Sequence, residues 1–423
     1  MNPSRRVDRL GRLRATVGVP GSKSIANRAL VCAALAGGTS TLTNLPDGDD
    51  TSAMAAALRV LDVPITIEAG RAVVEGGRLG DGAVTVHAGL AGTTSRFLLA
   101  LASLGDAPIT IDGDPPLRAR PFAPLTDALA QLGVDVEPGE RPGHLPVTVT
   151  GPPRSGAVSL RGDVSSQFVS SLMMIGPSVP GGLQITLTSP LVSVPYVDLT
   201  ARVMEWFGVD GVERHGDSIV VPSAGYRAAV VTVEPDASSA SYPLALAAVC
   251  GGRVTVPGLG VGALQGDARF ADLLGAMGCA VTRNRTGVTV ESGGVLRGID
   301  VDMADISDLV PTMAVVAACA SSPTRIRGVG FIRAKESDRL GDLSAELRRL
   351  GVDVDAVQDG LDIRPSAATI QGGSVGTHHD HRLAMAFAVL GSRVGGVEVR
   401  DPDVVSKSWP GFWRMLDAVA GRR

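Results

Sequence analysis

Several short segments of the chain combine cationic side chains with hydroxyl groups or carboxylates, the residue types that bind anions and move protons. They are PGSKSIANRAL (residues 20–30), AGTTSR (91–96), LRARPF (117–122), DVSSQF (163–168), SVPY (193–196), RAKESDRL (333–340), HHDHRLAMAF (378–387) and SKSWP (406–410). Arginine offers a planar fork of hydrogen-bond donors that suits carboxylate and phosphate groups, and lysine offers a compact positive charge at the end of a flexible side chain. The segments therefore favour a site for phosphate and carboxylate groups, although GxxxxGK[ST], the P-loop pattern, is absent.

Most of these segments lie at predicted helix starts, where free backbone N–H groups favour anions. A serine or threonine there is also explained by simple N-capping, with no further role. Lys23, Arg96 and Arg382 argue for more than capping, because a cation in the first turn opposes the helix dipole. We expect a bound anion to offset that repulsion.

Two carboxylates, Asp308 and Glu336, stand among these cations. The alternative for the run RAKESDRL is a solvated, charged helix face. His378, His379 and His381 show no convincing spacing for metal ligands, so no metal site is predicted.

Composition excludes several classes of protein. The 423 residues carry a net charge of −4, which disfavours a general nucleic-acid binder. The four cysteines are widely separated, no apolar leader is visible, and no apolar run reaches the roughly 18 residues of a membrane span. We expect a cytoplasmic, globular protein with thiols in the reduced state.

The sequence contains a repeat of about seventy residues. Apolar helix-like runs begin at Ser22, Gly92, Ser165, Ser238, Ser307 and Asp380, 69 to 73 residues apart. Each unit reads as helix, linker strand, helix and β-hairpin, but the sixth ends before its hairpin. The strand-like segment 11–19 is expected to supply part of the missing piece and close that unit across the termini.

The regular spacing of these repeats predicts an α/β (α+β) fold with two lobes of three repeats each. One lobe is predicted at residues 21–230 and the other at 1–20 plus 231–423. A two-stranded hinge is expected near residues 20 and 231, with a cleft into which the helix starts point. Lys23, Arg120, Arg382 and Lys407 are expected to converge on that cleft.

Together the motifs resemble, in order and over nearly the whole chain, those of the EPSP synthase family of enolpyruvyl transferases. The resemblance implies a two-lobed inside-out barrel, each lobe built from three βαβαββ-type units. It also implies a transferase of the shikimate pathway of aromatic amino acid (chorismate) biosynthesis. Such an enzyme moves the enolpyruvyl group of phosphoenolpyruvate to the 5-hydroxyl of shikimate-3-phosphate and releases phosphate.

The resemblance further implies a role for individual residues. Catalytic roles fall to Asp308 as proton acceptor, Glu336 as proton donor, and Lys23. Contacts to shikimate-3-phosphate are implied for Lys23, Ser24, Arg28, Ser165, Ser166, Gln167, Ser193, Tyr196, Asp308 and Lys335. Contacts to phosphoenolpyruvate are implied for Lys23, Gly92, Arg120, Gln167, Arg339, Arg382 and Lys407. No cofactor or metal, no nucleic acid or membrane partner, and a monomeric state are implied.

Two positions depart from the family pattern: Leu90 and Phe331 stand where asparagine is usual. Gly92 matches the class of the family that glyphosate inhibits, so competition between glyphosate and phosphoenolpyruvate is expected. The alternatives are the related transferase that acts on UDP-N-acetylglucosamine, an RNA-terminal phosphate cyclase, and a non-catalytic anion binder. The first characteristically has a loop cysteine, which residues 112–121 lack; the last leaves Asp308 and Glu336 unexplained.

Overall fold

The computed structural model describes residues 3–365 and 370–422, in which strands and helices alternate along the chain. The strands are β1 (Ser4–Val7), β2 (Leu13–Thr16), β3 (Gly38–Thr43), β4 (Ile65–Glu68), β5 (Arg71–Gly76), β6 (Val84–His87), β7 (Ile109–Asp112), β8 (Asp135–Pro138), β9 (Val147–Thr150), β10 (Ala157–Leu160), β11 (Leu183–Leu187), β12 (Glu213–His215), β13 (Ser218–Val221), β14 (Val230–Thr232), β15 (Gly252–Pro257), β16 (Ala280–Arg283), β17 (Gly287–Ser292), β18 (Asp300–Asp302), β19 (Thr324–Arg327), β20 (Val354–Val357), β21 (Gly360–Ile363), β22 (Ser374–Val375) and β23 (Val397–Arg400).

The α-helices are α1 (Lys23–Leu35), α2 (Asp49–Val60), α3 (Gly92–Ala102), α4 (Pro115–Arg118), α5 (Ala123–Gln131), α6 (Ser166–Ile175), α7 (Val194–Trp206), α8 (Ala237–Cys250), α9 (Phe270–Ala276), α10 (Val310–Ala318), α11 (Gly341–Arg349), α12 (His381–Val394) and α13 (Phe412–Val419). Short 3-10 helices cover Gly176–Ser178, Gly266–Arg269, Ala304–Leu309, Gly330–Ala334 and Pro402–Lys407. Within the described residues, no helix combines the length and the apolar character that crossing a bilayer requires.

The chain forms two compact units, one continuous (residues 21–233) and one discontinuous (residues up to 20 and from 234 onward). The second boundary lies three residues beyond the predicted position at 230/231. The reason is β14, which runs parallel to β3 and therefore belongs to a sheet of the continuous unit. Val231 and Val233 are buried there.

The continuous unit contains three four-stranded sheets with one common plan. Their strand orders are β14-β3-β5-β4, β6-β7-β9-β8 and β10-β11-β13-β12. In each, the first two strands are parallel and the last two form an antiparallel hairpin. A parallel pair needs a crossover, which α3 supplies between β6 and β7 and α6 supplies between β10 and β11.

The discontinuous unit repeats this plan in two four-stranded sheets, with strand orders β2-β15-β17-β16 and β18-β19-β21-β20. Its third sheet has three strands within the described residues, in the order β22-β23-β1. The prediction that segment 11–19 completes the sixth repeat is wrong. Its strand β2 runs parallel to β15 in the fourth repeat, which has no other strand ahead of α8. The sixth repeat is completed instead by β1, which pairs antiparallel with β23.

The central helices of each unit explain the apolar runs of the sequence. Helices α1, α3 and α6 contact one another in the continuous unit, and α8, α10 and α12 do so in the discontinuous unit. All residues of α8 and nearly all of α3 are buried, as expected for helices that are apolar on every side. The predicted α/β class with repeats is confirmed. In the described part of the chain, however, the strands form six open sheets and none closes into a hydrogen-bonded barrel.

Some predicted helix starts are displaced in the structure. Helix α8 begins at Ala237 with Asp236 as its N-cap, so Ser238 lies inside the first turn. Asp308 lies in the 3-10 helix Ala304–Leu309, and α10 begins only at Val310. The run RAKESDRL is not a solvated helix face, because residues 335–340 form bends and a turn before α11 and the side chain of Arg339 is 1% exposed.

Candidate active site

In the continuous unit, Lys23 is held at the start of α1 by a buried carboxylate. Ser22 caps the helix by accepting a hydrogen bond from the backbone N–H of Ile25. The Lys23 Nζ lies 2.9 Å from Oδ2 of Asp50, in the first turn of α2. The backbone carbonyl of Asp50 accepts a hydrogen bond from Thr94 of α3. This lysine therefore lies where the first turns of α1, α2 and α3 are connected.

Arg28, one turn further along α1, is buried among neutral acceptors. Its guanidinium donates to Thr200 Oγ1 (2.7 Å) and Ser170 Oγ (3.2 Å), and to the carbonyl oxygens of Ser24 (2.8 Å) and Tyr196 (3.2 Å). Burial lowers its pKa to about 10, since none of these acceptors carries a full negative charge. Arg28 thus joins α1 to α6 and α7 and adds a poorly compensated positive charge.

Gly92 begins α3 in direct contact with Arg120. A Cβ at this glycine would lie 2.5 Å from Nη1 of Arg120, so only a hydrogen side chain lets the guanidinium approach the helix start. Arg120 is 7% exposed. Neighbouring Leu90, one of the two departures from the family pattern, is 41% exposed.

A second arginine near the start of α3 organises Gln167. The guanidinium of Arg96 donates to Oε1 of Gln167 and stacks between the rings of Phe122 and Phe168, at 5.5 and 5.0 Å from their centroids. Gln167 also donates to Oγ1 of Thr93 at 3.0 Å. These contacts tie the first turn of α6 to the first turn of α3.

The remaining predicted residues of this unit lie at the starts of α6 and α7. Ser165 caps α6 by accepting from the N–H of Gln167, and Ser166 follows it, buried. Ser193 precedes α7 in the left-handed region (φ 55°) and is 4% exposed. The ring centroid of Tyr196 lies 5.9 Å from the Arg28 guanidinium. We call the set formed by Lys23, Ser24, Arg28, Gly92, Arg120, Ser165, Ser166, Gln167, Ser193 and Tyr196 the helix-start cluster.

In the discontinuous unit, Asp308 is surrounded by three cations. Its oxygens lie 2.6 Å from Arg382 Nη2, 2.9 Å from Arg339 Nη1 and 3.3 Å from Lys335 Nζ. Burial alone would raise the pKa of this carboxyl, but the cations outweigh burial and hold the pKa well below its usual range. Asp308 is therefore ionised, and its neighbours make it a weaker base.

Arg339 links three carboxylates through three different nitrogens. Besides Asp308, it contacts Glu336 Oε2 at 2.7 Å and Asp380 Oδ2 at 2.7 Å. It thereby places the predicted proton acceptor and the predicted proton donor around one guanidinium. We call Asp308, Lys335, Glu336, Arg339, Asp380 and Arg382 the carboxylate cluster.

Asp380 is a member that the sequence prediction did not assign to the site. It is fully buried, bonds Arg339 with one oxygen, and caps α12 by accepting from the backbone N–H of Arg382 with the other (2.9 Å). The sequence feature that could have identified Asp380 is its position at a predicted helix start, directly before the basic residues His381 and Arg382.

Asp267 is a second unassigned acid, and it is electrostatically coupled to this cluster. It is 3% exposed and accepts a hydrogen bond from the hydroxyl of Ser238. Burial, followed by repulsion from Asp308, raises the pKa of Asp267 to about 6. No sequence signal links it to Ser238, which lies 29 positions earlier in the chain.

Lys407 and Phe331 complete the predicted positions. Lys407 ends the 3-10 helix Pro402–Lys407 and is 7% exposed. The ring of Phe331, where the family usually has asparagine, lies 6.0 Å from the ammonium of Lys335. Among the residues that the structure describes, no group of three or more histidine, cysteine, aspartate or glutamate side chains is arranged to hold a metal ion.

Proteins of known structure share this architecture. The chain superposes on EPSP synthase from Acinetobacter baumannii with a TM-score of 0.81 and 25% identity, over 98% of this chain and 97% of the other. The enolpyruvyl transferase NikO from Streptomyces tendae, at 18% identity and a TM-score of 0.78, shares the fold. The fold is that of the enolpyruvyl transferases.

Sequence comparison specifies the family. The family model described as EPSP synthase (3-phosphoshikimate 1-carboxyvinyltransferase) matches residues 7–416. Enzymes named 3-phosphoshikimate 1-carboxyvinyltransferase from Methanoculleus marisnigri and Syntrophobacter fumaroxidans are 44% and 42% identical, over 97% of this chain and 98% of theirs. The chain belongs to the EPSP synthase family and is a transferase, so the prediction of family and enzyme class is confirmed. Enzymes of this family act on small-molecule substrates. Because the chain belongs to this family, the alternative function as a UDP-N-acetylglucosamine transferase is disfavoured.

Proposed function

We propose that the chain transfers the enolpyruvyl group of phosphoenolpyruvate to the 5-hydroxyl of shikimate-3-phosphate through the helix-start cluster and the carboxylate cluster. The observation that carries the proposal is Asp308 and Glu336 bound to the same Arg339 guanidinium. A binder of anions has no need for two carboxylates among its cations, whereas a reaction with two proton transfers does.

Shikimate-3-phosphate is assigned mainly to the helix-start cluster. The first turns of α6 and α7 offer hydrogen-bond donors for a phosphate, together with the hydroxyl groups of Ser165, Ser166 and Ser193. The buried charge of Arg28 adds attraction that its neutral partners do not cancel. Lys23, Ser24, Gln167 and Tyr196, with Asp308 and Lys335, complete the proposed contacts.

Phosphoenolpyruvate is assigned to cations of both clusters. Arg120 beside Gly92, together with Lys23 and Gln167, would take part of its charge, and Arg339, Arg382 and Lys407 would take the rest. Cations that are held in place before the substrate arrives stabilise a developing charge without the cost of reorganisation.

The proposed chemistry consists of an addition followed by an elimination. Glu336 gives its proton to the methylene carbon of phosphoenolpyruvate, which leaves the adjacent carbon electrophilic. The 5-hydroxyl oxygen attacks that carbon while Asp308 accepts the hydroxyl proton. The phosphate then leaves the tetrahedral adduct and takes the proton that Asp308 holds. The Glu336 carboxylate takes back a proton of the new methyl group, and the carbon–carbon double bond is restored.

The surroundings of Asp308 suggest how its basicity is controlled. Without substrate, Arg382, Lys335 and Arg339 hold its pKa well below the usual range. When anionic groups of the substrates compete for Arg382 and Lys335, those cations no longer neutralise Asp308 alone. Its pKa then rises, and the carboxylate becomes a better proton acceptor when the hydroxyl group is in place.

Phosphate release tests this function. The purified protein is mixed with phosphoenolpyruvate and either shikimate-3-phosphate or UDP-N-acetylglucosamine, and free phosphate is measured. We expect release only with shikimate-3-phosphate. Release with the sugar nucleotide alone would contradict the proposal, and release with neither acceptor would favour a non-catalytic binder.

Glyphosate is proposed to compete with phosphoenolpyruvate, because Gly92, which matches the glyphosate-sensitive class of the family, lets the Arg120 guanidinium approach the start of α3. Gly92→Ala is expected to displace Arg120 and raise the KM for phosphoenolpyruvate. Gly82→Ala serves as control, since a Cβ there meets nothing within 4 Å. Full activity of the wild-type protein with no competition by glyphosate would contradict the proposal.

A monomeric, cytoplasmic enzyme that binds neither nucleic acid nor membrane remains part of the proposal. It rests on the net charge of −4 and on four separated cysteines. Sedimentation of the purified protein at several concentrations tests the monomer, and a concentration-dependent mass would contradict it.

A further inference from the structure

The turn that leads into α12 has an unusual backbone. His378 and His379 have φ values of 51° and 58°, in the left-handed region that residues other than glycine enter only at a cost. Asp380 follows at once and caps α12, and Arg382 lies in the first turn of that helix. Two members of the carboxylate cluster are therefore positioned by this turn.

His378 contacts the neighbouring helix α11 with both of its ring nitrogens. Nε2 lies 2.8 Å from Oε1 of Glu346, and Nδ1 lies 3.5 Å from Oδ1 of Asp342. Asp342 and Glu346 are four residues apart and so share one face of α11. The Glu346 side chain is 2% exposed, and that of His378 is 35% exposed.

The surroundings of this contact are tight and charged. A Cβ at Gly376 would lie 3.1 Å from Oε1 of Glu346, 3.2 Å from Nε2 of His378 and 3.1 Å from Nη2 of Arg400. Arg349 of α11 lies 3.5 Å from the second oxygen of Glu346. The charged groups at this place are thus Asp342, Glu346 and Arg349 from α11, and Arg400 from β23.

The contact joins the same two chain segments as the Arg339–Asp380 ion pair. Helix α11 begins two residues after Arg339, and His378 stands two residues before Asp380. We infer that His378 is a positioning residue, which holds the turn 376–380 against α11 and so keeps Asp380 on Arg339 and Arg382 on Asp308. The inference rests on the proposed binding of phosphoenolpyruvate by Arg339 and Arg382.

The test compares His378→Asn with His379→Asn. Asparagine tolerates the left-handed region, so both variants meet the same backbone requirement. The shorter, uncharged side chain loses the contacts to Glu346 and Asp342 only at position 378. We expect His378→Asn to raise the KM for phosphoenolpyruvate about threefold over His379→Asn, with kcat within about twofold.

A Glu346→Gln variant tests the contact from its other end and does not depend on the folding of His378→Asn. It should also raise the KM for phosphoenolpyruvate, and adding His378→Asn to it should cause little further change. Equal KM values for phosphoenolpyruvate in the two histidine variants would overturn the inference. Additive effects in the double variant would do the same, as would a fall in kcat as large as the rise in the KM values for both substrates. Lack of phosphate release by wild type and His379→Asn would instead contradict the proposed function.

Discussion

Asp308 is the residue whose environment most directly limits the chemistry. Three cations keep it ionised, and the same cations are the proposed ligands of the substrate's anionic groups. A carboxylate in this position becomes a stronger base when a competing anion draws the cations away. The proposed proton transfer and the proposed substrate binding therefore involve the same set of ion pairs.

Replacement of this acid should abolish most of the turnover. Asp308→Asn removes the proton acceptor and leaves the shape unchanged, so kcat is expected to fall about 10²- to 10⁴-fold in the phosphate-release assay. Asp305→Asn is the matched control, because that residue lies in the same 3-10 helix and pairs with Arg269 at the surface. A kcat within twofold of the control, about 0.4 kcal/mol, would remove Asp308 from the mechanism.

Asp267 gives the stability of the protein a pH dependence of defined sign. Its pKa is about 6 in the folded chain against an ordinary value of 3.8, so the folded state binds the proton more tightly than the unfolded state. Stability should therefore fall as the pH rises through this interval. Asp267→Asn, which can still accept from Ser238, is expected to flatten the fall in Tm.

Thermal melts at a series of pH values measure this effect. Asp272→Asn on the exposed face of α9 is the control, and its profile should follow that of the wild type. An Asp267→Asn profile as steep as the control profile would show that the buried acid does not cause the dependence.

At the scale of elements, α12 shows how one residue serves both a helix and the site. The Asp380 carboxylate caps the helix with one oxygen and binds Arg339 with the other. The two roles are separable, because asparagine caps a helix about as well as aspartate but carries no charge.

Asp380→Asn should therefore lower kcat/KM for phosphoenolpyruvate about tenfold or more by releasing Arg339. Asp380→Ala should lower it similarly and, in addition, destabilise the protein by about 1 kcal/mol relative to Asp380→Asn through loss of the cap. Activity assays and urea unfolding of both variants measure the two effects. Equal stability of the two variants would contradict the capping role.

At the scale of the whole molecule, the division into units predicts that residues 21–233 fold alone. All three sheets of this unit are built from its own residues, and β14 is the edge strand of the first sheet. A fragment ending at residue 228 loses β14 and the burial of Val231 and Val233, which should cost about 3 kcal/mol.

Urea unfolding followed by circular dichroism compares the two fragments. We expect a cooperative transition for residues 21–233 and a lower midpoint for residues 21–228. Equal midpoints would show that β14 contributes nothing to the unit.

The sequence predicted the features that depend on local pattern. The six apolar helices, the hairpins and the cationic helix starts follow from short-range periodicity and capping signals, and the motifs led to the family. Pairings between distant segments were not predictable in this way, so β2 was assigned to the sixth repeat and the strand β14 was divided by the predicted boundary. Buried acids such as Asp267 and Asp380 are recognised by their partners in space, and a single sequence does not show those partners.

The route of the first strand has a consequence for synthesis on the ribosome. β1 is made almost four hundred residues before its partner strand β23. The continuous unit can fold before β23 is made, and during that time β1 has no partner strand along its edge. Arg5, Arg6, Asp8 and Arg9 place charges along that amino-terminal segment, and such charges discourage a solitary strand from pairing with other nascent chains.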